Sequence, residues 1–349
     1  MLSPVTTADP LEELARADLA AALARGDATR QAVLEALLES GGTLAHYEPE
    51  RRRYTVVLGD PATDDHVAVL VPGVGDDRDL SEHWLVWART LRESASSTTV
   101  ILWKDYDDPA DLREAVLAEI VRDDRARSGG RSLTDFVESL TLRAGQTLTV
   151  VAHSFGTIVL GSALADHELR CTNVVVVGSP GMTVDDVRDL HLTQRQFFVE
   201  RAPEDAVAGL GLLGSDPASE GFGGTWLSTN SPGSVPVREH SHYFEPGSEA
   251  LANIVDVITG QLAGIRRHRR SLGDRLGGLV TGSMILPLRP VEEVSRRYRG
   301  PGFRLILFAE SAIHLGANET GNLVRNAVDF TEHTLVALAR RPPIPGLGD

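Results

Sequence analysis

Residues Leu148 to Gly156 read LTVVAHSFG, a β-branched run that ends on a serine flanked by small residues. A serine hydroxyl is a poor nucleophile at its free pKa. It needs a base within hydrogen-bond reach and a site for the developing oxyanion. A tight strand-to-helix turn meets part of that need, because it lifts the hydroxyl above the sheet edge and aims the helix N-terminal N–H groups at negative charge. Such a turn favours small residues two places before and two after the serine, here Ala152 and Gly156. A-H-S-F-G is therefore G-x-S-x-G with one glycine replaced by alanine. A plain helix-capping serine is the simpler alternative. The strand read before Ser154 and the helix read after it are the context that the nucleophile motif requires.

The remaining parts are sought downstream. In this architecture the acid follows the serine and the histidine comes last. Asp205, just beyond the strand QFFVE, is the leading acid, with Glu204, Asp185 and Asp216 as rivals. REHSHYFEPGSEAL (238–251) precedes a late helix and supplies His240 and His242. His240 would take the Ser154 proton and return it to the leaving group, with Asp205 fixing its tautomer. The Phe155 N–H is one expected oxyanion donor. The Gly-rich turn VLVPGVGDD (69–77) offers the other, from Val74 or, second, Gly75. His153, Glu239 and His242 are placed as possible substrate contacts, although His153 could equally pack against the turn. The histidines lack metal-ligand spacing, so no metal or cofactor is expected. No Gly-Lys-Ser/Thr follows the Gly-rich turn, and no third glycine completes a dinucleotide fingerprint.

These residues need a scaffold that brings distant loops to one edge. Apolar periodicity predicts two helices within 10–40, with GG at 41–42 ending the second. RYTVVLGD (52–60), Val67–Val71, TVILW (99–103), LTVVA, TNVVVVG and QFFVE read as strands. Helices are predicted near Ala110 to Arg122, over 132–144 with Ser132 as cap, over TIVLGSALADH, and over 248–260. Alternating strands and helices predict a doubly wound, mostly parallel α/β sheet. After Gly260 the chain turns rich in Arg, Gly and Pro, with a possible strand or helical piece at 303–309 and an amphipathic helix at 321–340. The expected division is an N-terminal helical segment over 1–48, a core over 49–262 and a mainly helical extension over 263–349.

The chain has 349 residues, with 34 basic and 49 acidic side chains and a net charge of −15. That balance opposes a nucleic-acid or anionic-membrane partner. RRHRR (266–270) is a local exception, read as a solvated stretch after a helix. The single cysteine, Cys171, permits a reducing compartment. The uncharged stretch Leu276–Leu288 contains Gly and Pro and falls short of the roughly 20 apolar residues of a membrane span. The start MLSPVTTADP does not read as a signal peptide. A cytoplasmic protein is expected.

Taken together, DHVAVLVPGVG, LTVVAHSFGTIVLGSAL, VVVVGSPG, RAPEDAVA, GSDPASEGFGG and HSHYFEPGSEALANIVDVITG resemble the actinobacterial α/β-hydrolases of the domain-of-unknown-function 1023 type. The resemblance covers roughly 50–260. It implies an α/β-hydrolase fold and maps the family's Gly-His-Ser-Tyr-Gly onto residues 152–156. It maps His-Ser-x-Tyr onto His240 to Tyr243 and Asp-x-Val onto Asp205 to Val207. Phe155 and Glu239 depart from the family pattern. So do Lys104 and Asp105, where an apolar-Gly pair is expected.

The expected activity is that of a serine hydrolase forming an acyl-enzyme on an ester, thioester or activated amide, with a small-molecule acyl substrate. The same triad would serve an acyltransferase or cyclase. A catalytically silent scaffold that binds a small ligand or a partner is the alternative. The tail could dock an acidic partner or a second copy of the chain.

Overall fold

The computed structural model describes residues 9–74, 80–109, 125–205, 207–208, 214–276, 280, 320–321, 323–325 and 327–328. The chain divides into two compact units, Met1–His268 and Arg269–Asp349.

The first unit is built on one eight-stranded sheet. In chain order the elements are α1 (Pro10–Arg25), α2 (Ala28–Leu38), β1 (Thr43–Glu48), β2 (Arg53–Leu58), β3 (His66–Val71), α3 (Leu80–Ser94) and β4 (Thr98–Lys104). They continue with α4 (Arg125–Ser139), β5 (Thr147–His153), α5 (Gly156–His167), β6 (Asn173–Val177), β7 (Phe197–Glu200), β8 (Thr225–Leu227) and α6 (Glu249–Ile258). The strand order is β1-β2-β4-β3-β5-β6-β7-β8. The β1–β2 and β2–β4 pairs are antiparallel and the other five are parallel.

Side-chain alternation along the strands makes two cores. Ala68, Leu70, Val151, Val175 and Val177 face one side, together with Trp84, Leu85, Trp87 and Leu91 of α3 and Leu251, Ile254 and Val257 of α6. Val67, Val69, Val71, Val150, Ala152, Val174 and Val176 face the other, with Leu133 of α4 and Ile158, Val159 and Leu160 of α5. Both faces of the central strands are covered, which is why β3, β5 and β6 read as continuous apolar runs. Asp9 caps α1 through its carboxylate, Asp27 does the same for α2, and Ser248 caps α6.

Several expectations are corrected here. Ser132 is not a cap: α4 begins at Arg125, and Ser132 lies inside it. Residues 140–144 are not helical. The strands β1 and β8 and the helix α3 are additional to the elements read from the sequence. The expected helix near Ala110 to Arg122, most of that at 321–340 and the segment 303–309 lie outside the described residues, as does Gly75. In the second unit the described residues 272–276, 320–321, 323–325 and 327–328 are helical. There Ser271 and Asp274 form a reciprocal cap, and Asp274 pairs with Arg325 at 2.9 Å. No helix among the described residues is long and apolar enough to cross a membrane.

Candidate active site

The parallel strands end at one edge of the sheet, and Ser154, Asp205 and His240 meet there. β5 delivers Ser154 one residue past its last paired position, and α5 starts two residues later. Ser154 has φ of +53°, a left-handed conformation that a non-glycine residue rarely adopts. Hydrogen bonds over-determine that strained turn. Its N–H donates to Val177 O at 3.1 Å, and its carbonyl accepts from Thr157 N–H and from Thr157 Oγ1 at 2.9 and 2.7 Å. The Thr157 hydroxyl also meets Ser179 Oγ at 2.8 Å. Ala152 is fully buried, paired with Val71 on one side and Val176 on the other, so the methyl in place of the motif glycine is accommodated inside the sheet.

His240 Nε2 lies 2.8 Å from Ser154 Oγ. Its Nδ1 lies 3.0 and 2.9 Å from the two carboxylate oxygens of Asp205. Asp205 sits in the loop after β7 with its side chain wholly inaccessible, and its Oδ1 also accepts the N–H groups of Val207 and Ala208 at 2.8 and 2.9 Å. Oδ2 accepts from the Tyr243 hydroxyl at 2.6 Å. Burial alone would raise the Asp205 pKa. The hydrogen bond and charge of His240, the Tyr243 hydroxyl and the Ala208 N–H outweigh it and hold the carboxyl down at about 2. Asp205 is thus a fixed anion that can order an imidazole and balance its positive charge.

The rival groups are engaged elsewhere. Asp185 accepts from the Ser215 N–H and hydroxyl. Asp216 pairs with Arg201 at 2.5 Å, and Glu204 is exposed opposite Arg238. His242 is half-buried and holds the turn through its N–H to Glu239 O. Glu239 is exposed, and its carboxylate has no hydrogen bond or ion pair among the described residues. His153, placed above among possible substrate contacts, is buried under the site. Its Nε2 donates to the His240 carbonyl at 2.7 Å, and its ring packs edge-on against Trp87 and tilted against His240. It supports the His240 loop from below.

For the oxyanion, the chain after β3 comes close: a Cβ built on Gly73 would lie 2.6 Å from Ser154 Cβ and 3.2 Å from its Oγ. Val74 follows immediately, and Phe155 opens α5 on the other side of the serine. No hydrogen bond among the described residues uses either N–H.

Sequence reasoning assigned no role to two tyrosines, although the resemblance places Tyr243 in its His-Ser-x-Tyr pattern. Tyr243 bridges Asp205 and the Ala202 N–H, the latter at 2.8 Å; its place three residues after His240 was the available signal. Tyr106, in WKDYDDP, sits under the Gly73 turn and had no signal beyond a misfit in the expected pattern. One group of metal-ligating side chains occurs among the described residues: His46, Glu48 and Asp105, at the edge strand and the end of β4. Asp105 there already faces Arg53 at 3.8 Å, and the group is separate from Ser154.

A family model described as alpha/beta hydrolase matches residues 48–215. Two Mycobacterium tuberculosis proteins, described only as uncharacterized, are each 27% identical to the chain over 296 residues, covering 72% of it. The chain spans less than half the length of these relatives, since the match covers 44% of each. Among solved structures, a dienelactone hydrolase from Anabaena variabilis is similar over 65% of this chain and 97% of its own, with 13% identity and a TM-score of 0.37. A ferulic acid esterase from Anaeromyces mucronatus matches 62% of this chain and 90% of its own, with 12% identity and a TM-score of 0.39. The family match over 48–215 and the strand order give the first unit the α/β-hydrolase fold.

Proposed function

We propose that the chain is a serine hydrolase with Ser154 as nucleophile, His240 as general base then acid, and Asp205 as the group that orients and charge-balances His240. The observation that carries this reading is the continuous hydrogen-bonded line from Ser154 Oγ through both ring nitrogens of His240 to Asp205, each step between 2.8 and 3.0 Å. It starts at a serine held at positive φ between a strand and a helix.

In the reaction, Ser154 Oγ attacks an acyl carbonyl while its proton moves to His240 Nε2. Asp205 keeps the Nδ1 proton directed at its carboxylate and offsets the imidazolium charge. The N–H groups of Phe155 and Val74 receive the tetrahedral oxyanion; one such donor contributes about 3 kcal/mol to the barrier reduction. His240 then gives its proton to the leaving group, and the acyl-serine forms. A water gives its proton to His240 and attacks that ester, and His240 passes the proton to Ser154 Oγ as the acyl–oxygen bond breaks, releasing the acid and free Ser154. The substrate class is an ester, thioester or activated amide.

A fluorophosphonate probe tests the assignment. Covalent labelling of the native protein that disappears in Ser154→Ala is expected. Labelling that persists unchanged in Ser154→Ala, or a native protein that never labels, would end this reading.

A further inference from the structure

Tyr106 touches both halves of the proposed oxyanion site. It lies in the loop after β4 and is buried. Its hydroxyl donates to Pro72 O at 2.6 Å and shares the proton with Gly73 O at 3.1 Å. Those two carbonyls belong to the segment that leads from β3 into Val74. Its ring stacks on Phe155, with centroids 6.2 Å apart and planes 24° apart, and on Trp103 at 5.8 Å.

The residue is itself held from every side. The Lys104 ammonium lies over its ring at 4.8 Å and donates to its carbonyl at 3.2 Å. Lys104 is buried and charge-paired with Asp108 at 2.7 Å, so it is an expensive group to place there unless it fixes something. Gly129 of α4 packs against Tyr106 Cβ. Burial and the nearby Asp108 raise the Tyr106 pKa far above its ordinary value, so the hydroxyl remains a donor at every working pH.

A Gly-containing turn has no side chain of its own to fix its height above the serine. Here a neighbouring strand's loop supplies one. We propose that Tyr106 is the positioning residue of the oxyanion site: its hydroxyl sets the Pro72–Val74 turn and its ring braces Phe155, so that one side chain fixes the spacing between the two donors. This deepens the serine-hydrolase reading and rests on it. Lys104, one of the two residues that break the expected pattern, belongs to the same device, since it anchors the loop that carries Tyr106.

Tyr106→Phe keeps both ring contacts and removes only the hydroxyl. An intact oxyanion donor is worth about 10²- to 10³-fold in kcat, so a loosened one is expected to cost roughly tenfold. With p-nitrophenyl acetate, kcat should fall by that factor while KM holds. Affinity for a phenylboronic acid, which forms the tetrahedral adduct, should fall in step with kcat. Backbone 15N order parameters at Gly73 and Val74 should fall. The melting temperature should drop by a few degrees, because Pro72 O and Gly73 O lose a buried donor. Trp103→Phe, which perturbs the same stack without touching these carbonyls, should leave the kcat-to-boronate proportionality and the order parameter at Gly73 unmoved. Lowered order parameters with wild-type kcat would overturn the proposal, as would unchanged order parameters in Tyr106→Phe. If the native protein does not react with a fluorophosphonate, the hydrolase reading falls by itself. The order parameters then decide separately whether Tyr106 holds the segment.

Discussion

Gly178, at the end of β6, lies flat against the imidazole of His240. A Cβ built on it would sit 2.9 Å from both Cε1 and Nδ1 of that ring and 3.0 Å from Asp205 Oδ2. Its φ is +60°, so a side chain there would meet backbone strain as well as collision. The segment 178–181 therefore touches two parts of the site. Gly178 sets the floor under the His240–Asp205 pair, and Ser179 bonds Thr157, which grips the Ser154 carbonyl. Gly178→Ala should push the imidazole off the Ser154 line. Since a displacement of about 1 Å can cost on the order of 100-fold, kcat should fall by roughly that factor. Steady-state kinetics with an activated ester check this; wild-type kcat in the alanine variant would contradict it.

Tyr243 is the third ligand of the Asp205 carboxylate after His240 and the backbone N–H groups. Tyr243→Phe deletes a buried donor to Asp205 and leaves the Ala202 N–H without its acceptor. Each buried unsatisfied group costs about 1–3 kcal/mol, so urea unfolding should report a loss in that range. The Asp205 pKa should climb from about 2, because one of the groups lowering it is gone. A variant as stable as the wild type, with an unmoved Asp205 titration by carboxyl NMR, would refute the bridging role.

The N-terminal helices are fastened by charge. Arg30 of α2 donates Nε and Nη2 to Asp18 of α1 at 3.1 and 2.6 Å, and Tyr47 of β1 donates to the same carboxylate oxygen at 2.6 Å. Arg30 is buried, so removing its partner strands a charge. Asp18→Ala should destabilise the fold by about 3 kcal/mol. Fluorophosphonate labelling of Ser154 should survive at temperatures where the variant stays folded. Chemical denaturation measures the first effect; a loss under 1 kcal/mol would show that α1 and α2 are held by apolar contacts alone.

The central strands were legible in the sequence because burial on both faces makes their residues uniformly apolar. The edges were not. β1, TLAHYE, alternates irregularly around a bulge between Leu44 and His46, and β8 has three residues. The start of α4 hid behind a polar, Gly-containing stretch. There Gly130 lets α4 approach α5 so closely that a Cβ would lie 2.8 Å from Ser162 and Ala163 atoms. Motif and chain order suggested Ser154 and, among several acids, Asp205, while the resemblance to a His-Ser-x-Tyr pattern favoured His240 over His242. Neither could suggest Tyr106 or Gly178, whose roles arise from loops of other strands closing over the edge.

The buried histidine beneath the site sets how the fold responds to acid. Burial, helped by the nearby His240 ring and opposed by the hydrogen bond to the His240 carbonyl and the Asp205 charge, holds the His153 pKa down at about 3. The geometry agrees. Nε2 donates to that carbonyl, and Nδ1 is buried with no hydrogen-bond partner among the described residues, so an added proton would have none of them to face. Above pH 6.5 both the folded and unfolded chains carry this ring neutral, and it contributes no pH dependence. Between 6.5 and about 3 the unfolded chain binds a proton that the folded chain refuses, so stability should fall with acid by about 1.4 kcal/mol per pH unit. Asp205 acts in the same direction lower down. Its carboxyl is depressed from 3.8 to about 2, so the stability it contributes is complete above 3.8 and is lost as pH falls toward 2. His153→Phe retains an aromatic ring against Trp87 but removes the titration. As pH falls from 6.5 to 4 the urea midpoint of the wild type should drop relative to that of the variant, whichever protein is the more stable at pH 8. Parallel curves across that interval would mean that His153 takes up its proton in the folded state.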